Sequence, residues 1–386
     1  MRRQGMMETK VIGKGIRTVI LGVFATLLLL AARPVWAADP GQVGGITWHG
    51  YGELHYNNPE GSSVPGKKDP AQIDLHRMVW GLSYQWNDRV SLHTEIDFEH
   101  AFKEPELEFA YLDFLIRPEI NVRAGVVLIP VGPLNERHEP PRFFSVERPY
   151  LQRTVIPTTW QEGGVGLFGT LGEDFNYRAY LVSGLDATGF NAKDGIRKGR
   201  RAMGEAANEE FAWVGRLEYI GLPGLSVGTS VYHGGANQDP TSDDDIDVTL
   251  LEGDVRYTVS GLDFQAMYAQ IDISNPEKIT GAGVGEKIAG WNAEIAYHLR
   301  TLDPDTEQDL VPFVRWEQFN TQEAVPAAYP ADPANERSVF TVGLAYYPVP
   351  DVVIKADLET WEDEDTGVKD DGEEKKRFNL ALGYEF

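Results

Sequence analysis

The stretch 130–162, PVGPLNERHEPPRFFSVERPYLQRTVIPTTWQE, concentrates the side chains best suited to act on a charged solute. It carries Arg137, His138, Arg142, Arg148 and Arg153, interleaved with Glu136, Glu139, Glu147 and Glu162. A guanidinium group offers five donors in a fixed fork and a permanent positive charge, which suits oxyanions. With Arg123 upstream and Arg178 and Arg216 downstream, these arginines are candidates for an anion-attracting strip. The competing arrangement is mutual pairing with the glutamates, because charged side chains seldom stay unpaired when partly buried. Pro130, Pro133, Pro140, Pro141 and Pro149 stiffen the stretch, and its aromatics give it something to pack. It is therefore expected to be folded.

Other chemistry has little to stand on. The eight histidines, His49, His55, His76, His93, His100, His138, His233 and His298, are scattered along the chain. Neither G-x-S-x-G nor H-E-x-x-H occurs. No catalytic residue is assigned, and no cofactor or metal is expected. Two acidic runs, DPTSDDDID (239–247) and WEDEDTGVKDDGEE (361–374), lack EF-hand spacing. They read as solvated surface, bridged to lipopolysaccharide by divalent ions.

Period-two strands must position these residues. In VSLHTEIDFE (90–99), Val90, Leu92, Thr94, Ile96 and Phe98 share one face, and Ser91, His93, Glu95, Asp97 and Glu99 share the other. Sixteen such segments follow one another: 46–56, 76–86, 90–99, 107–116, 120–129, 163–171, 175–184, 211–220, 225–234, 248–257, 262–272, 288–299, 310–319, 337–347, 352–361 and 377–386. Parity does not resolve in 107–116 and 163–171. Short connections such as NDR, RPE and GED alternate with long ones. The chain has 40 glycines, 11% aromatic residues and no cysteine, which suits an all-β protein without disulfides.

The amino-terminal segment reads as an export signal. Five basic residues precede an apolar run, TVILGVFATLLLLAA, and Val35 and Ala37 stand at the small-residue positions of a cleavage site. Residues 1–37 are expected to be removed, leaving 38–386 as one domain. Removal takes away six basic residues and one acidic residue, so the formal charge falls from −24 to about −29. That balance opposes nucleic-acid binding.

Short turns at one end and long loops at the other are the plan of an antiparallel transmembrane β-barrel with periplasmic turns. In a bilayer every backbone group must be paired, so such a sheet closes on itself. The outward face of the strands that end at short turns finishes on Trp86, Tyr219, Tyr257, Tyr297, Tyr346 and Phe386. These would form the interfacial aromatic girdle. The opposite parity carries Arg77, Arg123, Arg178, Arg216, Arg256, Arg315 and Lys355 among twice as many acids. A face so charged points to a water-filled lumen, and 16 strands are wide enough for one.

The runs ELEFAYLDFLIRPEINVRAGVVLIPVG, PRFFSVERPYLQRTVIPTTWQEGGVGLFG, GFNAKDGIRKGRR, FAWVGRLEY, LPGLSVGTSVYHG and PDVVIKADLE resemble the phosphate-selective porin O/P family in content and order. The resemblance implies a 16-stranded porin of the Gram-negative outer membrane, usually a homotrimer, passing small hydrophilic solutes and anions such as phosphate. It implies that the loop 130–162 folds inward to form the constriction. It also implies that a terminal aromatic strand, here ending on Phe386, is read by outer-membrane assembly machinery. With residues 1–37 removed, acids outnumber bases two to one, a departure from the basic lumen of that family. The alternative function on the same barrel is a plug-free receptor or facilitator for a specific ligand such as a siderophore. Only residues 38–45 precede the first strand, which leaves no room for a plug.

Overall fold

The computed structural model describes residues 45–59, 70–201, 203–204, 206–279, 281–303, 305–363 and 375–386. The expected signal segment 1–37 and most of the acidic run 361–374 lie outside the described residues.

Sixteen strands form the fold: β1 (Ile46–Pro59), β2 (Gln72–Asn87), β3 (Val90–Glu99), β4 (Glu104–Arg117), β5 (Ile120–Leu128), β6 (Gln161–Leu171), β7 (Phe175–Ser183), β8 (Phe211–Tyr219), β9 (Leu225–Gly235), β10 (Asp247–Val259), β11 (Leu262–Ile273), β12 (Lys287–Tyr297), β13 (Asp309–Ala324), β14 (Glu336–Val349), β15 (Val352–Asp363) and β16 (Lys375–Glu385). Each pairs antiparallel with its sequence neighbours, and β1 pairs with β16, so the sheet is a closed barrel. All sixteen alternating segments of the sequence are strands. Several connections are shorter than their sequence readings: β3 and β4 extend until only residues 100–103 separate them, and β13 runs on to Ala324, leaving 325–335 before β14.

Closure gives the sheet two faces with opposite requirements. On β13, Val311, Phe313, Arg315, Glu317 and Phe319 point inward and are buried, while Leu310, Val314 and Trp316 are exposed on the outside. The same exposed apolar parity recurs around the barrel, at Trp80, Trp213, Leu251, Val342 and Leu382 among others. This is the lipid-facing belt of a membrane barrel. Trp86, Tyr257 and Phe386 of the expected girdle are also exposed on it.

The unresolved parity of 107–116 has a local cause. Glu95 pairs with Phe109 and Ile96 with Leu107, so Glu108 is a bulged extra residue in β4. A bulge shifts the side-chain alternation by one. Glu108 and Asp113, of opposite parity, are therefore both buried inside the barrel. In β6 the ambiguity comes from Gly163, Gly164, Gly166 and Gly169, which have no side chain to sort.

The inner wall is not uniformly polar, which corrects the sequence reading of that face. Along β10 the inward residues run Val248, Leu250, Glu252, Asp254: apolar at the long-loop end and charged toward the short turn. β11 and β12 repeat this, with Ile271 and Ile288 near the loops and Asp263 and Glu294 near the turns. The apolar part receives the two longest described loops. Ile129, Val131, Leu151, Val155, Ile156 and Trp160 of loop 129–160 join Leu185, Phe190 and Ile196 of loop 184–210 in one core with these wall residues.

The seam between β1 and β16 is closed by small residues facing aromatics. Phe386 exchanges backbone hydrogen bonds with Gly50: its N–H donates to the Gly50 carbonyl at 2.9 Å, and its carbonyl oxygen accepts from the Gly50 N–H at 3.0 Å. A Cβ at Gly50 would sit 3.0 Å from the Phe386 ring and closer still to the Val79 carbonyl; one at Gly52 would meet the Tyr384 hydroxyl at 2.6 Å. Both rings thus lie over bare glycine backbone, a device that covers exposed strand backbone. Deleting Phe386 removes two closing hydrogen bonds and one outward ring. The expected outcome is a lower yield of heat-modifiable folded barrel, read by unheated gel electrophoresis of outer-membrane fractions; an unchanged yield contradicts a role for Phe386 in closure and assembly.

Candidate functional site

Loop 129–160 leaves β5, crosses the lumen and is fastened to the far wall. The Val146 N–H donates to Asp357 Oδ2 at 2.6 Å, and the Leu151 N–H donates to Glu317 Oε2 at 3.0 Å. Lys355 Nζ donates to the Ser145 carbonyl at 2.9 Å and stands 3.6 Å from the Phe143 ring centroid. The Tyr150 hydroxyl meets Glu359 at 3.1 Å. Asp357, Glu317, Lys355 and Glu359 all belong to inward faces, so the strand alternation that charges the lumen also supplies the loop's anchors. Gln161 and Glu162, read from sequence as the end of this loop, begin β6.

The loop leaves open a cavity of about 180 Å³ against β1, β2 and β3. On the loop side it is lined by Glu147, Arg148 and Arg153, and by Arg197 from loop 184–210. On the wall side stand Glu53, Arg77 and Glu99 with three histidines, His55, His76 and His100. A second space, about 320 Å³, lies toward the short-turn end and is mostly acidic, with Glu95, Glu139, Asp351 and Glu385 against Arg142. Between the two, Arg77 Nη1 donates to the Tyr51 hydroxyl at 3.4 Å, and Tyr51 in turn donates to Glu108 at 2.9 Å. His138 Nε2 meets both Tyr51 and Glu108, at 2.8 and 2.9 Å. Glu108 is in this cluster only because of the β4 bulge. The broken alternation of 107–116 was its sequence signal.

The seven arginines singled out by sequence have different surroundings. Arg123 makes a two-pronged contact with Asp113, at 2.8 and 2.9 Å, beneath the Tyr111 ring. Arg178 pairs with Glu136 at 3.0 Å, Arg142 with Glu385 at 2.9 Å and Arg153 with Glu147 at 3.1 Å. Arg216 is buried among Glu252 and Asp254, at 3.2 and 2.8 Å. Arg137 is exposed and has no carboxylate partner among the described residues. Arg148 has none either: one Nη reaches Thr159 Oγ1 at 3.1 Å, and Nη2 is buried without a hydrogen-bond acceptor.

Two more cations join Arg148 from loop 184–210, where the run KDGIRKGRR marks them in sequence. Arg197 donates to the backbone carbonyls of Arg153 and Thr158, both at 2.7 Å, and Arg200 to those of Pro157 and Thr159. Neither has a carboxylate within ion-pair distance among the described residues. Burial and then the neighbouring Arg200 push the Arg197 guanidinium down to about 9. Burial, with Arg77 beside it, lowers Arg148 as well. Both remain charged at neutral pH, so their mutual proximity leaves a locally positive field. By contrast Arg77, Arg123, Arg178, Arg216, Arg256, Arg315 and Arg377 of the strands each have a carboxylate oxygen within 3.0 Å.

Glu147 ties the loop to β1. Burial alone would raise its carboxyl, but the His55 imidazole 3.7 Å away, with Arg153 and Arg377, outweighs burial and holds it well below the usual carboxylate range. A group lowered in the folded state stabilises above its unfolded value, near 4.3. That contribution disappears as pH falls through the depressed folded value. Hydrogen exchange of residues 143–156 is therefore expected to stay slow from neutral pH down to about 4.5 and to accelerate only in stronger acid. Acceleration beginning near pH 6 contradicts this anchoring.

No family model matches the chain. Among solved structures, the barrel is similar to the outer membrane channel DcaP of Acinetobacter baumannii, with 11% identity and a TM-score of 0.58 over 91% of this chain and 99% of that one. It is similar to the anion-selective porin from Comamonas acidovorans, with 10% identity and a TM-score of 0.57 over 89% and 100%. OmpT, an outer membrane protein of Vibrio cholerae, matches with 10% identity and a TM-score of 0.56 over 92% and 100%. At these identities the likeness is one of fold, and the fold is that of Gram-negative outer-membrane barrels. A protein of Aquifex aeolicus (strain VF5) carrying the name "Uncharacterized protein" is 36% identical over an alignment of 338 residues that covers 81% of this chain and 75% of that one. With that identity sustained over most of both lengths, the chain belongs to the family of this Aquifex aeolicus protein.

Proposed function

We propose that the protein is an outer-membrane channel for passive diffusion of small hydrophilic solutes, with a step at the 180 Å³ cavity that favours small oxyanions such as phosphate. The observation that carries this reading is the contrast in pairing. Seven strand arginines are neutralised by neighbouring carboxylates, whereas among the described residues Arg148, Arg197 and Arg200 meet only hydroxyl and carbonyl oxygens. Paired arginines hold the wall together; unpaired ones keep donors and charge for a solute. The acidic vestibule beyond the cavity acts on the same solute at longer range, where salt screens it over about 8–10 Å.

The sequence resemblance to the phosphate-selective porin O/P family points the same way. The Comamonas acidovorans protein that shares this fold is itself described as anion-selective. The Vibrio cholerae neighbour is described in a trimer form, and a homotrimer in contact with lipopolysaccharide is the assembly we propose here. A non-enzymatic role fits a cavity whose polar groups are mainly arginine, glutamate and histidine without an assembled nucleophile. A second reading, a plug-free facilitator for one specific ligand, is favoured by the floor that Arg77, Tyr51, Glu108 and His138 place beneath the cavity. The two readings differ in kinetics: a facilitator saturates with its ligand, and a diffusion channel conducts in proportion to concentration.

The test is the reversal potential of single channels in a salt gradient. One charge about 8 Å from a permeant ion is worth about 0.5 kcal/mol in a water-like dielectric, or roughly twofold in permeability. The double variant Arg148→Gln with Arg197→Gln should lower anion permeability roughly fourfold and raise cation permeability by about the same factor, moving their ratio roughly 16-fold toward cations. Arg142→Gln, whose charge is already opposed by Glu385, should move it less. An unchanged ratio in the double variant contradicts the anion step.

A further inference from the structure

At the rim of the cavity, on the long-loop side, Asp74 and His76 of β2 meet His100 of the turn between β3 and β4. Asp74 Oδ2 stands 2.7 Å from His100 Nδ1 and 3.3 Å from His76 Nδ1. One ligand atom from each of the three lies within 4.8 Å of the other two. We propose that these residues form a binding site for a divalent transition metal ion of the zinc class, a reading that goes beyond the channel function and does not rest on it.

The chemistry of the donor set is specific. Two imidazole nitrogens and one carboxylate oxygen are the three-ligand set of many open zinc sites, with water or solute in the fourth position. Ligands about 2.0 Å from a tetrahedral zinc ion stand about 3.3 Å from one another. The Asp74–His76 spacing matches that, the Asp74–His100 spacing is shorter at 2.7 Å, and the two imidazole nitrogens lie within 4.8 Å of each other. Both imidazoles present Nδ1, so the tautomer with the proton on Nε2 supplies both lone pairs. Oxygen-seeking ions such as calcium want six to eight oxygens, which this set does not offer.

The backbone positions His100. Residues 100–102 have φ of 50°, 57° and 69°, a left-handed run without a glycine. The turn is held by the N–H groups of His100 and Ala101, which donate to the carbonyls of His76 and Leu75, both at 3.2 Å. The two histidine side chains are thereby brought to one place from opposite ends of a hairpin.

A second observation points into the same space. His55 stacks on His76 with ring centroids 4.6 Å apart and lines the cavity while only 4% exposed. Its Nδ1 has no hydrogen-bond partner among the described residues; Glu147 Oε1 stands 3.7 Å away. Glu99 and Glu104 also bring carboxylate oxygens to His100, in a second group of potential ligands that overlaps the first. Three of the chain's eight histidines and two further acids thus surround one opening. The sequence reading, which saw the histidines as scattered, had no means to see strand pairing bring them together.

The experiment is equilibrium dialysis of Zn²⁺ against tag-free, full-length folded barrel in detergent, with Co²⁺ absorption spectra as a second readout. The expected result is one saturable equivalent of Zn²⁺ and visible Co²⁺ bands of a nitrogen-containing site. Losing an outer-shell partner weakens metal binding about 10- to 100-fold, so removing a direct ligand by His76→Ala or His100→Ala should weaken it by at least about 10-fold. His233→Ala, on the outer surface, should change nothing. Heat-modifiability confirms that each variant is folded, and His100→Asn, confined to the turn, serves if His76→Ala is not. The proposal is overturned by absence of a saturable equivalent in the wild type, or by unchanged binding and Co²⁺ bands in a folded His100 variant. Conductance plays no part in these readouts, so they separate the metal site from the channel reading.

Discussion

A peptide group in hydrocarbon has no water to bond to, and the rest of this molecule follows from that constraint. Sixteen strands satisfy it by pairing all the way round, β1 with β16 included. A closed sheet has an inside and an outside, so period-two alternation turns into a lipid-facing belt and a lumen wall. The charges that alternation delivers to the wall cannot remain unpaired, because an uncompensated buried charge destabilises by several kcal/mol. Hence Arg315 lies between Glu317 and Glu294, and Arg216 between Glu252 and Asp254. The wall arginines are, in this sense, consumed by architecture.

Function then has to come from what crosses the lumen. The apolar inward positions at the loop ends of β10, β11 and β12 give loop 129–160 and loop 184–210 a surface to pack on. The polar positions lower down, Asp357, Glu317 and Lys355, give the first of them fixed anchors. Both loops settle against one side of the barrel, and the space left over lies along β1 to β3. Arg148 and Arg197 border that space, with Arg200 beside Arg197, and none of the three has a carboxylate within ion-pair distance among the described residues. The placement of the positive field is thus a consequence of where the inner wall is greasy.

Much of this was legible in the sequence, and the reasons for the misses are local. Strand number and order follow from alternation, and the outward parity of Phe378, Leu380, Leu382, Tyr384 and Phe386 could be read directly. The bulge at Glu108 adds a residue without any turn signal, so alternation alone could not place that carboxylate. Val248, Leu250, Ile271 and Ile288 stand on the lumen parity and are apolar, a signal of docking loops that is masked by the charged residues sharing that parity. The partners of the arginines were illegible because they come from far along the chain: Arg142 finds Glu385, and Tyr150 finds Glu359. For Arg197 and Arg200 the basic run was visible, but not that it would fold back beside Arg148. The Asp74, His76 and His100 cluster was hidden in the same way, by the pairing of β2 with β3 and by a turn from β3 to β4 that has no glycine to announce it.

The central claim is that a loop held across an otherwise wide lumen sets the size of an open path. Single-channel conductance in planar bilayers, compared between the native protein and a variant with residues 131–158 replaced by a short glycine–serine linker, tests it most directly. The account predicts small, well-defined steps for the native channel and steps several-fold larger for the variant, both from protein shown to be folded by heat-modifiability. Equal conductance in the two proteins, or no conductance from the folded variant, would contradict it.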